Sequence, residues 1–147
     1  MKESGTYALV IHSGVGLHLP VGKLGICNFP PGYYVYAGSA LGGLSGRLRH
    51  HLESEKRLHW HIDYLLQQAQ VAEIWYALGP NKIECRWNTI LQNLPGAIPS
   101  IPGFGSSDCI CSSHLTYFRV TPPFCVFSKR LEESKLPEAH QLNELSL

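Results

Sequence analysis

The sequence predicts a small α/β domain of the α+β kind, a mostly antiparallel three-stranded central sheet flanked by helices. Three observations carry this expectation. The stretches 6–12, 33–37 and 71–78 are apolar, β-branched or aromatic runs of strand length, punctuated by Gly and Pro. Between and after them, apolar residues recur at helical spacing. The chain has 147 residues, enough for a single hydrophobic core.

In the first run Tyr7, Leu9 and Ile11 face one way and Ala8 and Val10 the other. Both sets are apolar, so this strand is expected inside the sheet, covered on both faces. Residues 13–32 are rich in Gly and Pro and read as a long connection with a short strand near 21–27. The aromatic run 33–37 follows and ends in the turn Gly38-Ser39-Ala40-Leu41-Gly42-Gly43. The period then changes to that of a helix. Leu44, Leu48 and Leu52 form its apolar stripe, with Arg47 and His51 four apart on an adjoining face. A second helix is expected from about 60 to 70, with Ile62, Leu65, Leu66 and Ala69 inward. The third strand, 71–78, closes at Gly79-Pro80, and a third helix starting at Asn81 turns Ile83, Trp87, Ile90, Leu91 and Leu94 inward. Residues 95–114 are irregular, and 115–120 could form one further strand. The domain is expected to span 1–127, with 128–147 a charged, loosely attached tail or frayed helix.

Composition narrows the class of partner. Charged residues make up 16% of the chain, against about 25% in ordinary soluble domains. The net charge is +1, which excludes binding of nucleic acid by bulk charge. The positive residues nevertheless cluster. Arg47, Arg49, Lys56 and Arg57 stand against Glu53 and Glu55, with His50, His51, His59 and His61 interleaved. No apolar run has the length of a secretory leader or a membrane span, so a cytoplasmic protein without membrane association is expected. Five cysteines, in such a compartment, point to metal or core rather than to disulfides.

Three short elements line up along the chain: Gly5-Thr6-Tyr7 opening the first strand, Tyr36-Ala37-Gly38-Ser39 closing the second, and Arg47 with His51 on the first helix. Glu84 follows on the third helix. This ordered set resembles the GIY-YIG nuclease superfamily. More narrowly, the stretches 32–40, 59–66 and 103–111 resemble its stand-alone branch, also found fused to endonuclease III-like DNA-repair glycosylases. The resemblance implies a GIY-YIG-like fold and metal-dependent hydrolysis of phosphodiester bonds in DNA, structured or single-stranded, in repair or recombination. It implies Tyr7, Tyr36, Arg47, His51 and His61 as catalytic residues, and Gly38, Ser39, Arg49 and His59 as substrate contacts. Glu84 is then the ligand of Mg2+ or Mn2+. An Asn that would accompany this Glu has two candidates on the third helix, Asn88 and Asn93, and Asp108 is a further residue that could face the site.

The residue types suit that chemistry. Arg47 offers a planar fork of donors matched to phosphate oxygens. A hard cation that keeps several waters is served by a single carboxylate. A phenol, with an ordinary pKa of about 10, needs a neighbouring cation or base before it can activate water. Tyr36 is the first choice for that role, and exchanging it with Tyr7 is equally consistent with the sequence. Gly38 would let backbone approach the substrate closely. Two competing structural roles are specific. Asn81-x-x-Glu84 has the spacing of a helix capping box, and His59 or His61 could cap the second helix or pack on Trp60.

Cys85, Cys109, Cys111 and His114 have the spacing Cys-x23-Cys-x-Cys-x2-His, which could form a structural zinc site. Alternative functions are a catalytically inactive nucleic-acid-binding module and a Cys/His protein-interaction domain. DNA is expected as partner in preference to RNA, and the sequence carries no sign of oligomeric state.

Overall fold

The fold was analysed in a computed structural model that describes residues 3–53, 57–106 and 109–142. Glu55, Lys56 and Asp108 lie outside the described residues. The elements are β1 (Gly5–Ser13), β2 (Leu17–Pro20), β3 (Ile26–Phe29), β4 (Gly32–Ala40), α1 (Leu44–Leu52), α2 (His61–Leu66) and β5 (Gln70–Leu78). They continue with α3 (Glu84–Gln92), β6 (Ile98–Pro99), β7 (Leu115–Phe118), α4 (Phe124–Glu133) and β8 (His140–Leu142).

The described residues thus form a mixed α+β fold with four helices and two antiparallel sheets. One sheet has six strands in the order β6-β7-β4-β1-β5-β8, and the other is the two-stranded pair β2-β3. The expected three-stranded sheet is therefore its centre, β4-β1-β5, extended by two strands on one side and one on the other. The extra strands are two to four residues long, too short to carry a visible period-two alternation. The long connection contains the hairpin β2-β3 and a 3-10 turn at Gly22–Leu24, where a single short strand was expected.

β1 is an inner strand, hydrogen-bonded to β4 on one side and β5 on the other. Its two faces separate two cores. Tyr7, Leu9 and Ile11 pack with Leu44 and Leu48 of α1, Ile62 and Leu65 of α2, and Phe29 of the hairpin. Ala8 and Val10 pack on the opposite side with Trp87 and Leu91 of α3 and Phe127 and Leu131 of α4. The alternation in the strand sequence thus decides which helices cover which face.

Residues 128–142 of the segment expected as a loose tail are part of this architecture. α4 crosses the expected boundary at residue 127, and β8 pairs with β5. Phe127 is fully buried, its ring stacked 5.1 Å from Trp75 and edge-on 4.9 Å from Trp87. No helix among the described residues is long and apolar enough to cross a membrane.

Phe127→Ala is expected to lower unfolding free energy by about 3–5 kcal/mol, the usual cost of removing a buried aromatic side chain. Urea titration of the variant checks it; a change below about 1 kcal/mol would mean that α4 packs no core.

Candidate functional site

A cleft of about 490 Å3 opens at the end of β4. Tyr7 and Tyr36 lie in it, Arg47, Trp60 and His61 line one part, and Glu84 reaches it from the first turn of α3. The strand register explains the arrangement. Tyr7 on β1 is paired with Gly38 on β4. A Cβ at residue 38 would lie 2.6 Å from the Tyr7 hydroxyl and 2.7 Å from its Cζ. Gly38 therefore makes room for the Tyr7 ring, and it also lines the cleft.

Crossing Gly38, the Tyr7 hydroxyl meets His51 Nε2 at 2.7 Å, a buried hydrogen bond. His51 is only 2% exposed and is not among the residues that line the cleft. On its far side lies Asp63, fully buried on α2. Asp63 Oδ1 is 3.9 Å from His51 Nδ1 and 3.4 Å from His50 Nε2. Its Oδ2 accepts the backbone N–H groups of His59 at 2.8 Å and Trp60 at 2.9 Å. A buried carboxylate is held by those two donors at the start of α2, the place where the helix dipole favours negative charge. Capping of α2 thus falls to Asp63 and not to His59 or His61. The result is an Asp63–His51–Tyr7 series leading outward to the cleft.

Burial pushes the Tyr7 phenol up to about 12; Arg47 pulls against this, and the carboxylates of Asp63 and Glu84 add to it. Arg47 itself is held from two sides. One guanidinium nitrogen donates to the Ser39 carbonyl at 2.9 Å, and its Cζ stands 4.5 Å from the centre of the Trp60 ring. The Ser39 hydroxyl donates to Glu84 Oε2. Ser39, expected as a substrate contact, thus fixes both Arg47 and Glu84. Lys82 Nζ lies 3.7 Å from the other Glu84 oxygen.

Glu84 does not serve as a capping residue. The residue before α3 is Ile83, no side chain caps the helix, and Glu84 is its first residue. The capping-box spacing with Asn81 has no counterpart in the structure. Glu84 is the carboxylate among the lining residues. Among the described residues, no group of three or more ligands gathers around it. Asn88 is occupied elsewhere, donating to the Ser113 carbonyl at 2.6 Å, and Asn93 donates to Thr89 on the exposed side of α3.

His61 faces the cleft with a defined tautomer. Its Nδ1 accepts the Gly105 N–H at 2.8 Å, which leaves the proton of the neutral ring on Nε2. Burial lowers its pKa, favouring that neutral form. Gly105 has φ of 68°, and a Cβ there would lie 2.8 Å from Tyr36 Cε1. The turn carrying Gly105 therefore presses against both Tyr36 and His61. His59 lines the cleft and is exposed. Arg49 is exposed on α1 and does not line it.

Cys85, Cys109, Cys111 and His114 come together, with one ligand atom of each lying within 4.8 Å of the others. The group could hold a metal ion such as zinc. Asp63, Trp60, Lys82 and Gly105 were not expected in the site. Only Asp63 carried a readable signal, as an acid near a helix entry beside an apolar stripe.

The raised Tyr7 pKa carries a stability consequence. The folded state holds the Tyr7 proton more tightly than the unfolded chain does. The stabilisation is fully present below pH 10 and is lost as pH rises from about 10 to about 12. Urea midpoints across this range are expected to fall more steeply for the wild type than for Tyr7→Phe; parallel slopes would contradict the buried phenol.

Comparison with curated proteins and with solved structures finds no match. A family model, described as a domain of unknown function, DUF123, matches residues 6–135. This overturns the assignment to the GIY-YIG superfamily and to its glycosylase-fused branch. The glycines of the two triplets have packing reasons of their own: a Cβ at Gly5 would lie 2.8 Å from the Ala77 carbonyl oxygen, and Gly38 yields to Tyr7. The matched span takes in α4 and both cores apart from Leu136, Ala139 and Leu142, and the chain belongs to the DUF123 family.

Proposed function

We propose that the cleft hydrolyses phosphodiester bonds, with nucleic acid as substrate and DNA preferred to RNA, and that the protein is a metal-dependent endonuclease. One observation carries the reading. An arginine, a single carboxylate and a phenol backed by a buried His and Asp line or adjoin one open cleft. These are the groups that in-line attack on a phosphate needs: charge neutralisation, a cation ligand and a path for the proton of water.

Arg47 faces the non-bridging phosphate oxygens, preset by the Ser39 carbonyl and the Trp60 ring. The attacking water gives its proton to the Tyr7 oxygen while Tyr7 passes its own to His51 Nε2. The new P–O bond then forms without a free phenolate, which burial disfavours. Asp63 balances the imidazolium. The bond to the leaving oxygen breaks as the new one forms, and solvent supplies its proton. Tyr36 and the His61 Nε2–H are further contacts for the substrate. Glu84, held by Ser39, would be the protein ligand of Mg2+ or Mn2+, with water and phosphate filling the remaining positions. When bound, such a cation supplies charge neutralisation at the phosphate.

Binding without cleavage is a second reading, favoured by Lys82, whose ammonium stands 3.7 Å from the carboxylate that would hold the cation. The two readings separate on nicked, flapped, single-stranded and duplex DNA, with RNA alongside, in Mg2+ or Mn2+. Cleavage is expected to fall by about 100-fold or more in Arg47→Ala, Glu84→Gln and Tyr7→Phe. Lys82→Ala is expected to lower the Mg2+ concentration needed for half-maximal cleavage. DNA retained on a filter by wild-type protein, with no cleavage in either metal, would leave binding alone.

A further inference from the structure

We propose that Cys85, Cys109, Cys111 and His114 bind one Zn2+, and that this ion clamps the 103–114 segment against β4 and thereby positions Tyr36 and His61. The four ligand atoms already lie within 4.8 Å of one another, and two of their separations are close to those of a tetrahedral centre. Zinc bonds of about 2.3 Å to sulfur and 2.0–2.1 Å to nitrogen put a ligand S and N roughly 3.6 Å apart around a tetrahedron. His114 Nε2 is 3.6 Å from Cys85 Sγ and 3.2 Å from Cys109 Sγ. Three thiols and an imidazole are soft and borderline donors, the set that selects zinc over Mg2+ or Ca2+.

The imidazole is already set as a ligand. Its Nδ1 lies 3.1 Å from the Ala37 carbonyl, so the N–H points there and the Nε2 lone pair faces the three sulfurs. A backbone carbonyl behind a metal-bound histidine is the usual orienting partner. The loop conformation also favours ligation over simple burial. Cys109 and Cys111 turn inward while Ile110 between them is fully exposed. A loop folded by hydrophobic collapse would bury the isoleucine first.

The clamp follows from what these residues join. Cys85 is in the first turn of α3, next to Glu84. His114 is bonded to β4 through Ala37, both by its ring and by its carbonyl, which accepts the Ala37 N–H at 3.2 Å. Gly103 and Phe104 are tied to the ligand-bearing stretch by Gly103 N–H to Ser112 O and His114 N–H to Phe104 O, at 2.6 and 2.7 Å. Gly105, between these ties and the cleft, touches Tyr36 and donates to His61. The described residues of the segment, 103–106 and 109–114, contain no strand or helix, so the ion supplies cross-links that such an element would otherwise provide. None of this depends on whether the cleft cleaves nucleic acid.

The test uses the full chain purified without a metal-affinity tag. Elemental analysis for zinc and iron is expected to find about one zinc per chain. Replacement by Co2+ is expected to give thiolate-to-cobalt charge transfer and the visible bands of a tetrahedral site, a readout that needs no variant. Cys109→Ser is expected to weaken zinc binding by about 100-fold or more, whereas Cys125→Ser, an exposed cysteine outside the cluster, and Glu84→Gln keep it. Removing the zinc is expected to speed amide exchange across residues 103–114, Gly105 included. Zinc below about 0.2 equivalents, iron in its place, a disulfide among the three cysteines, or full zinc retention in Cys109→Ser would each overturn the site. Exchange unchanged on zinc removal would overturn the clamp.

Discussion

The Tyr7 ring occupies the space that a side chain at residue 38 would fill, and the site depends on that substitution of one residue's volume for another's. A phenol on an inner strand would normally stand perpendicular to the sheet and end in the core. Here the glycine on β4 lets the ring cross the neighbouring strand, so its hydroxyl reaches His51 on α1. The hydrogen bond ties the helix to the sheet at a buried polar point. It also sets how far Arg47, one turn earlier on α1, stands from the end of β4. The 2.7 Å bond holds its two partners to one geometry because a small shift would leave a buried donor or acceptor unsatisfied.

Around that point the cleft draws on both sides of the sheet. α1 and α2 pack on the face that carries Tyr7 and Tyr36, whereas α3 packs on the other. Glu84 joins Arg47 because β4 ends near the first turn of α3, and Ser39 bridges the two through its hydroxyl and its carbonyl. The opposed charges are therefore held by a single residue at the strand end. Their spacing is a property of backbone position more than of the mobility of either long side chain, which is how a preset electrostatic environment is built.

Much of this was legible in the sequence, and the exceptions have physical causes. α1 spans the residues its leucine stripe marks, because Leu44, Leu48 and Leu52 leave no ambiguity of period. The two-sided burial of β1 followed from its uninterrupted apolar run. Tyr7, Tyr36, Arg47 and Glu84 were named through a resemblance that the family match overturns, yet all four line one cleft. What escaped were features decided by tertiary contact. α4 places Phe124, Phe127 and Leu131 among Lys129, Arg130, Glu132 and Glu133, so its average composition masks three well-spaced apolar residues. The hairpin β2-β3 has four residues a side, half of each turned away from the core. Asp63 reads as an ordinary helix-entry acid, and only the packing of α1 over α2 brings two histidines to it. The same packing accounts for Arg49, whose charge matches Arg47 while its face of the helix does not.

Among the described residues, β8 lies at one margin of the main sheet with three residues, and β6 at the other with two, one of them Pro99. Between them lie strands of up to nine residues whose backbone groups would otherwise be open on one side. A long, uncovered strand edge templates pairing with another chain, and natural sheets blunt it with short terminal strands and proline. His140–Leu142, set in a stretch that looks dispensable from its charge, therefore covers the Ile74–Tyr76 part of the β5 edge. Three residues add few ladder bonds, yet a shortened open edge is a poorer template for another strand.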